Sequence, residues 1–450
     1  MPDDQRSANV VRNSVISGIL KMSTLACSLL MVPVTIGYLN QENYGIWMAM
    51  TSILYWFVFL DVGLGNGLRN YLAEALSRND MVSARSYIST AVIILSAISV
   101  LLAFVFIPLI YVFDLNDVFH TTSIDGSELA KVLVIAVSFS LVQFVAKNVG
   151  MIYIAMQKYA VSDFITFLGT VSSLAVVFIM TKTMEPNLAY VVAAFSGMPV
   201  LMFIIASIHL AIRHPELRPS FGCMNLPVAK KIVGKGLGFF LIQITSCLVI
   251  FGSANIFISH YCGPQSVTVY NVSFKLFNVL IIIYSILIAP LWNAYTDAAV
   301  KNDYDWIRRS FRKSLTLWGY SVIGGMVMLA FSGLFFRLWV GDSVEIPLSV
   351  SLWVCIYVCV FNFNNCVTYL INGLNKIRVQ IITSVIATAF YLVSVYVIRD
   401  EYGIIGISIA MIVAYLLMAI VHLYQCHLLI NSITNCFTKV LICKVNIIRC

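Results

Sequence analysis

The stretch "SYISTAVIILSAISVLLAFVFIPLIYV", from Ser86 to Val112, holds 27 residues and no charged side chain. At about 1.5 Å per residue, a helix of this length exceeds the roughly 30 Å of hydrocarbon in a bilayer. Because no water reaches that region, backbone groups must bond within the segment, which favours a helix over an open sheet. The stretch therefore predicts a membrane-spanning helix.

The same composition extends over the whole chain. Of its 450 residues 60% are hydrophobic and 11% are charged, and the mean hydropathy is +0.92. Soluble domains carry about a quarter charged residues, so that class is excluded. We predict an all-α polytopic membrane protein with twelve transmembrane helices in two parallel six-helix lobes around a central cavity. The predicted spans are residues 15–38, 44–62, 86–112, 131–154, 161–181, 188–210, 237–259, 266–290, 313–336, 347–370, 379–398 and 404–428.

The basic residues predict the orientation. With the N-terminus in the cytoplasm, 21 of the 28 lysines and arginines lie in inner segments and four in outer segments. This asymmetry follows the positive-inside rule and places both termini in the cytoplasm. The N-terminus begins with acidic residues and lacks a small-residue cleavage site, so it does not read as a cleaved signal peptide.

An internal repeat defines the predicted domains. "EALSRNDMVSARSYI" from Glu74 matches "DAAVKNDYDWIRRSF" from Asp297, and "YIAMQKYAV" from Tyr153 matches "INGLNKIRV" from Ile371. Six spans per half give both halves the same orientation, which is typical of transporters with the substrate path between two lobes. The predicted parts are residues 1–212 (N-terminal lobe), 213–236 (cytoplasmic linker), 237–430 (C-terminal lobe) and 431–450 (cytoplasmic tail).

Three lysines fall inside predicted spans, where a charge is costly unless it faces water or a partner. Each lies on a polar stripe at helical spacing. The stripes are Ser14, Ser17, Lys21, Thr24 and Ser28 in the first span, Ser140, Gln143, Lys147 and Gly150 in the fourth, and Asn271, Lys275, Asn278 and Ser285 in the eighth. For the serines and asparagines alone, hydrogen bonding between helices is the alternative interpretation. The lysines favour a water-filled cavity.

The sign of the charge predicts what enters the cavity. Asp61 and Asp163 lie at the cytoplasmic ends of spans, and deeper carboxylates are almost absent. A cavity lined by lysines attracts anions, phosphates especially. Asn271, Asn278 and Asn365 are candidates to contact a sugar.

The segment "LDVGLGNGLRN", residues 60–70, raises the possibility of a nucleotide site. Such fingerprints need a strand before them, and here a membrane helix precedes. We interpret Gly63, Gly65 and Gly67 as a hinge at the cytoplasmic mouth. At the same offset the second half reads "YSILIAPLWNA", with Pro290, which predicts a helix break there too. Asp61, Arg69 and Arg85 complete the predicted mouth.

Other chemistry is not indicated. The histidines are scattered, and we find no metal-ligand cluster, no Walker motif and no nucleophile with a base. No cofactor, metal or nucleic acid is predicted, and the chain is not expected to be an enzyme.

The motifs "GYLNQENYGIW", "LDVGLGNGLRNYLAEALSRND" and "AMQKY" resemble Wzx-type flippases for O-antigen and other polysaccharides, in the multidrug/oligosaccharidyl-lipid/polysaccharide exporter superfamily. The resemblance covers about residues 10–430. It implies transfer of an undecaprenyl-pyrophosphate-linked oligosaccharide across the bacterial inner membrane by alternating access. Membrane lipid, a polysaccharide polymerase and a chain-length regulator are the further partners it implies.

Two alternatives remain at this point. A small-molecule or drug exporter of the same fold would use a membrane acid, Asp61 or Asp163. A membrane glycosyltransferase or polymerase would need a large catalytic loop, whereas the longest outer loop, 113–130, has about 18 residues.

Overall fold

The computed structural model describes residues 3–59, 64–230, 245, 250, 252–374 and 376–447, and these residues form helices and no strands. The helices are α1 (Asp3–Leu39), α2 (Gln41–Phe59), α3 (Leu64–Ser77), α4 (Met81–Ile110), α5 (Leu115–Phe119), α6 (Gly126–Ala146), α7 (Asn148–Ala155), α8 (Tyr159–Thr183), α9 (Leu188–Arg213), α10 (Ala254–Cys262), α11 (Pro264–Val300), α12 (Tyr304–Ala330), α13 (Ser332–Trp339), α14 (Leu348–Gly373) and α15 (Arg378–Ile447). The all-α prediction is confirmed.

Nine helices of the described chain are long and apolar enough to cross a membrane. The pair α12 and α13, bent by 63°, adds a tenth if it is one span. Two of the nine lie within α15, which is broken at Gly403, where φ is 52°. The chain is thus a multi-pass membrane protein. The count of twelve stays a prediction, because most of the predicted seventh span lies outside the described residues.

Contacts divide the chain into two units. The first comprises residues 1–244, 252–268 and 339–344, and the second comprises 245–251, 269–338 and 345–450. The predicted lobe boundaries stay predictions. Residues 252–268 belong to the same unit as the N-terminal helices.

The first unit is held together by apolar faces. α1 packs on α8, α8 on α9, and α6 on both α4 and α9. The amphipathic helix α3 buries Leu68 and Leu72, one turn apart, in a cluster that includes Ile88 of α4 and Tyr153 of α7. In the second unit α14 packs on α12 and α15.

The matched sequence blocks fold into matching corners. Asn79 and Asn302 both adopt positive φ, 55° and 58°, which asparagine tolerates better than most residues. Each follows an i,i+4 ion pair of 2.7 Å, Arg78 with Glu74 and Lys301 with Asp297.

The residue after each asparagine caps the next helix. Asp80 accepts a hydrogen bond from the backbone N–H of Ser83, and Asp303 accepts one from that of Trp306. The pKa of Asp80 is lowered, because the hydroxyl and backbone N–H of Ser83 both donate to its carboxylate. The second pair of matched sequence blocks shares a backbone hydrogen bond. The N–H of Lys158 donates to the carbonyl of Tyr153, and the N–H of Lys376 donates to the carbonyl of Ile371.

The predicted helix break in the second half is wrong. α11 runs through Pro290 to Val300. Membrane helices tolerate an internal proline, because neighbouring groups satisfy the freed carbonyl.

Candidate functional site

Lys21 of α1 has an acidic partner that helical spacing did not predict. Its Nζ lies 3.7 Å from Oδ2 of Asp163 on α8. The hydroxyl of Ser17, one turn before Lys21, donates a hydrogen bond to the same Oδ2 atom. Ser17 is buried, whereas the Lys21 side chain is 54% exposed. The ammonium group therefore has a partner but is still open to a ligand.

Lys147 lies where the fourth predicted span is locally interrupted. It separates α6 from α7, and the N–H of Gly150 bonds back to its carbonyl in a 3₁₀-type contact of 3.0 Å. The Nζ atom lies 5.5 Å from the centre of the Phe144 ring, within the range of a cation–π contact.

A cavity of about 190 Å³ adjoins Lys147. It is lined by Lys147, Asn148, Gly150, Met151, Ser162 and Phe203. A Cβ atom at Gly150 would lie 2.8 Å from Oγ of Ser162. The glycine thus allows α7 and α8 to approach closely at the edge of the cavity.

The two lysines lie against one turn of α8. Ser162 shares the cavity with Lys147, and the next residue, Asp163, pairs with Lys21. This turn is close to the start of α8 at Tyr159, where the helix dipole is positive. Two lysines and one carboxylate give the turn a net positive charge, which suits an anionic ligand. We call Lys21, Lys147 and the α8 turn at Ser162 and Asp163 the α8 cationic site.

The signal for the pair was present in the sequence. Lys21 and Asp163 are opposite charges in two apolar spans of one half, and pairing lowers the cost of each. The serine stripe identified the face of α1, but helical spacing does not identify a partner 142 residues away.

The other predicted cavity residues belong to the second unit. Asn271, Lys275 and Asn278 follow one face of α11, with Asn271 buried and the other two half-buried. Asn365 of α14 is half-buried. On the same helix Asn362 is fully buried and donates to Oγ of Ser321 on α12 at 3.0 Å. This asparagine therefore forms a hydrogen bond between helices, which is the alternative interpretation given above for polar residues in the spans.

The predicted mouth is described in part. Asp61 and Gly63 lie outside the described residues. Gly65, Gly67 and Arg69 lie in the first turns of α3, so that helix begins before the last two glycines. Arg85 lies on α4, and its Nε donates to the carbonyl of Arg218 at 2.9 Å.

A polar cluster around Glu42 was not expected from the sequence. Oε1 accepts from the hydroxyls of Thr121 and Ser123 at 2.5 and 2.8 Å, and Oε2 accepts from Nε2 of Gln265 at 2.9 Å. The hydroxyl of Thr268 donates to the Gln41 carbonyl at 2.6 Å. These bonds join α2, the loop before α6 and the start of α11. No group of three histidine, cysteine or carboxylate side chains in the described part of the chain is arranged to hold a metal ion.

The family model described as "Polysaccharide biosynthesis protein" matches residues 10–291. The chain is 20% identical over 414 residues to a putative O-antigen transporter of Salmonella typhi, covering 89% of this chain and 91% of the relative. It is 24% identical to a putative O-antigen export protein of Yersinia pseudotuberculosis, covering 68% of each.

Solved transporter structures share the fold. An inward-facing multidrug resistance MATE family transporter of the MOP superfamily superposes with a TM-score of 0.77 at 13% identity, covering 94% of this chain and 99% of that one. A MOP superfamily transporter from Pyrococcus furiosus, reported with a binding pocket of reverse polarity, gives 0.64 at 14% identity, covering 95% and 96%. The transporter fold predicted from the sequence is confirmed.

Proposed function

Because the chain belongs to the polysaccharide biosynthesis protein family, we propose that it is a flippase for a lipid-linked oligosaccharide, such as an O-antigen repeat unit. The substrate would move from the cytoplasmic to the periplasmic leaflet of the bacterial inner membrane, with both termini in the cytoplasm. The relatives named as O-antigen transporters, which align over most of the chain, support this substrate class. The protein acts in this proposal as a transporter and not as an enzyme.

The α8 cationic site carries the proposal. A polyprenyl pyrophosphate offers several anionic oxygens, which suit two ammonium groups beside one helix turn. As the pyrophosphate approaches Lys21, it competes with Asp163 for the ammonium group. The 3.7 Å separation and the exposure of Lys21 make this a weak pair, which an incoming phosphate can replace.

The predicted cavity residues of the second unit are also part of the proposal. Lys275 adds positive charge, and Asn271, Asn278 and Asn365 would hydrogen-bond sugar hydroxyls. Arg69 and Arg85 would attract the head group at the cytoplasmic mouth, to which the sequence also assigns Asp61, Gly63, Gly65 and Gly67. A polysaccharide polymerase and a chain-length regulator are the protein partners expected to receive the product.

The test is complementation of a strain that lacks the transporter. The triple variant Lys21→Ala, Lys147→Ala, Lys275→Ala should lower surface polysaccharide at least tenfold and trap the lipid-linked glycan on the cytoplasmic leaflet. Loss of even one charge-assisted contact costs about 1.5–3 kcal/mol, or more than tenfold.

Lys182→Ala is the matched control. Lys182 lies at the opposite end of α8, and the same substitution there should leave the polysaccharide unchanged. Normal polysaccharide in the triple variant, at an equal protein level, would overturn the proposal.

A drug exporter of the same fold is the second candidate, because Asp163 lies near the end of a span and the solved structures include multidrug transporters. In that case Asp163→Asn would abolish resistance to a cationic dye on overexpression. The flippase proposal expects no dye resistance from the wild-type chain.

A further inference from the structure

One side of α4 forms the wall of an apolar groove. The groove has a volume of about 630 Å³ and follows α4 from Val92 to Phe104. Its residues recur three to four positions apart, so they lie on one face of the helix. Phe104 is 75% exposed, and this face is therefore not covered by protein in the described part of the chain. Over twelve residues the groove is about 18 Å long.

The chain segment after α9 forms the other wall. Pro219, Ser220 and Phe221 line the groove opposite α4. This segment, 218–225, is fixed to α4 because the N–H of Ser220 bonds to Ser89 Oγ at 3.0 Å and that of Asn225 bonds to Thr90 Oγ1 at 3.1 Å. These bonds satisfy backbone groups that lie beside an apolar span. Phe221 is 86% exposed, an unusual position for phenylalanine unless lipid surrounds it.

Positive charge lies at one end of the groove. Arg218 directly precedes the groove wall, and Arg85 lies about 10 Å along α4 from Val92. Arg85 Nε donates to the Arg218 carbonyl at 2.9 Å, and Arg218 Nε donates to the Ala211 carbonyl at 2.7 Å. Both side chains are thus oriented by backbone contacts. Glu216, two residues away, bonds instead to His214 at 3.0 Å.

We propose that this groove binds one acyl chain of an anionic membrane phospholipid, with its phosphate at Arg85 and Arg218. The length of about 18 Å matches one leaflet, half of the roughly 30 Å hydrocarbon core. A polyprenyl chain of the length expected for the transported lipid would extend well beyond it. The arginines lie at the end of the groove that the orientation places at the cytoplasmic surface, where anionic head groups attract basic residues. This lipid site is distinct from the α8 cationic site, and it shares Arg85 with the predicted cytoplasmic mouth.

The experiment is native mass spectrometry of the purified full chain in detergent, titrated with phosphatidylglycerol. The variant Ala97→Trp fills the groove, because Ala97 is an exposed residue of its wall. Ala175→Trp is the matched control, since Ala175 is an exposed residue of α8 outside the groove. The wild type and Ala175→Trp should retain one tightly bound lipid that Ala97→Trp lacks. Val100→Trp repeats the test if Ala97→Trp does not fold.

A second experiment tests the head-group contacts by removing the two arginine charges. Arg85→Gln with Arg218→Gln should weaken phosphatidylglycerol binding about 30-fold, the loss expected for two basic side chains beside an anionic lipid surface. The control Arg312→Gln with Lys313→Gln removes the same charge from α12 and should change binding less than about threefold.

Three results would overturn the proposal. The first is equal lipid retention by Ala97→Trp and Ala175→Trp. The second is phosphatidylcholine with the same acyl chains binding as tightly as phosphatidylglycerol. The third is undecaprenyl phosphate displacing phosphatidylglycerol from the wild type but not binding to Ala97→Trp, which would assign the groove to the carrier lipid.

Discussion

Gly45 of α2 tests how closely the Glu42 cluster is packed. A Cβ atom at position 45 would lie 1.8 Å from the carbonyl oxygen of Pro264 and 2.5 Å from its carbon. Because the obstacle is backbone, Gly45→Ala must push α2 away from the start of α11. The hydrogen bond from Thr268 to Gln41, at 2.6 Å, and that from Gln265 to Glu42, at 2.9 Å, span the same contact and would be lost.

The loss of stability expected for Gly45→Ala follows from these contacts. The added methyl group costs about 1–3 kcal/mol as overpacking, and the two hydrogen bonds cost about 1 kcal/mol each. Alanine recovers about 1 kcal/mol through its helix propensity. The net loss is about 2–4 kcal/mol, or about 4–8 °C in the apparent midpoint of thermal unfolding at about 2 °C per kcal/mol.

The assay is the loss of monodisperse protein on heating, followed by size-exclusion chromatography in detergent. Gly319→Ala is the control, because a Cβ at Gly319 would have no atom within 4 Å beyond its chain neighbours and its own helix backbone. It should keep or raise the midpoint. Equal midpoints for the two variants would refute the close approach of α2 and α11.

Three further predictions use the same assay. Glu42→Ala should lower the stability by about 2 kcal/mol, because the charge-assisted acceptor is lost. Glu42→Gln should lower it by less, since the amide oxygen still accepts a hydrogen bond. Equal losses for the two variants would contradict the hydrogen bonds assigned to Glu42. Gly150→Ala should change the stability by less than about 0.5 kcal/mol, because the atom it meets is the rotatable hydroxyl of Ser162; a loss like that at Gly45 would show a rigid contact. Asp80 has a lowered pKa because Ser83 donates to its carboxylate, so its stabilisation is present above the unfolded carboxyl pKa of about 3.9 and is lost as the pH falls through the folded value. The thermal midpoint of the wild type should therefore exceed that of Asp80→Ala by its largest amount at pH 7, and this difference should shrink as the pH falls below about 4. A difference that does not change with pH would exclude the charged cap.

Composition and the length of the apolar runs predicted the helical membrane fold. The polar stripe through Ser17 and Lys21 was predicted to face a cavity, and both residues contact Asp163 of α8. The repeated Asn-Asp blocks fold into matching turns. These features are local, so they are readable from spacing along the chain.

The site was predicted less completely, because pairing depends on tertiary contacts. Asp163 and Lys21 are distant in sequence, and helical spacing does not bring them together. The polar partners of Glu42 lie in segments that read as ordinary loops and helix starts. The break predicted at Pro290 is wrong for a related reason, since the neighbours of a membrane helix decide whether a proline interrupts it.

The interruption at Lys147 has a mechanical consequence. The eight residues of α7 make a lever about 12 Å long, with Lys147 at its pivot. A tilt of about 10° there moves the far end of the helix by about 2 Å, whereas the backbone of Lys147 at the pivot moves very little. In the proposed function, Lys147 would therefore keep its anion in place while α7 adjusts to a different shape of the cavity.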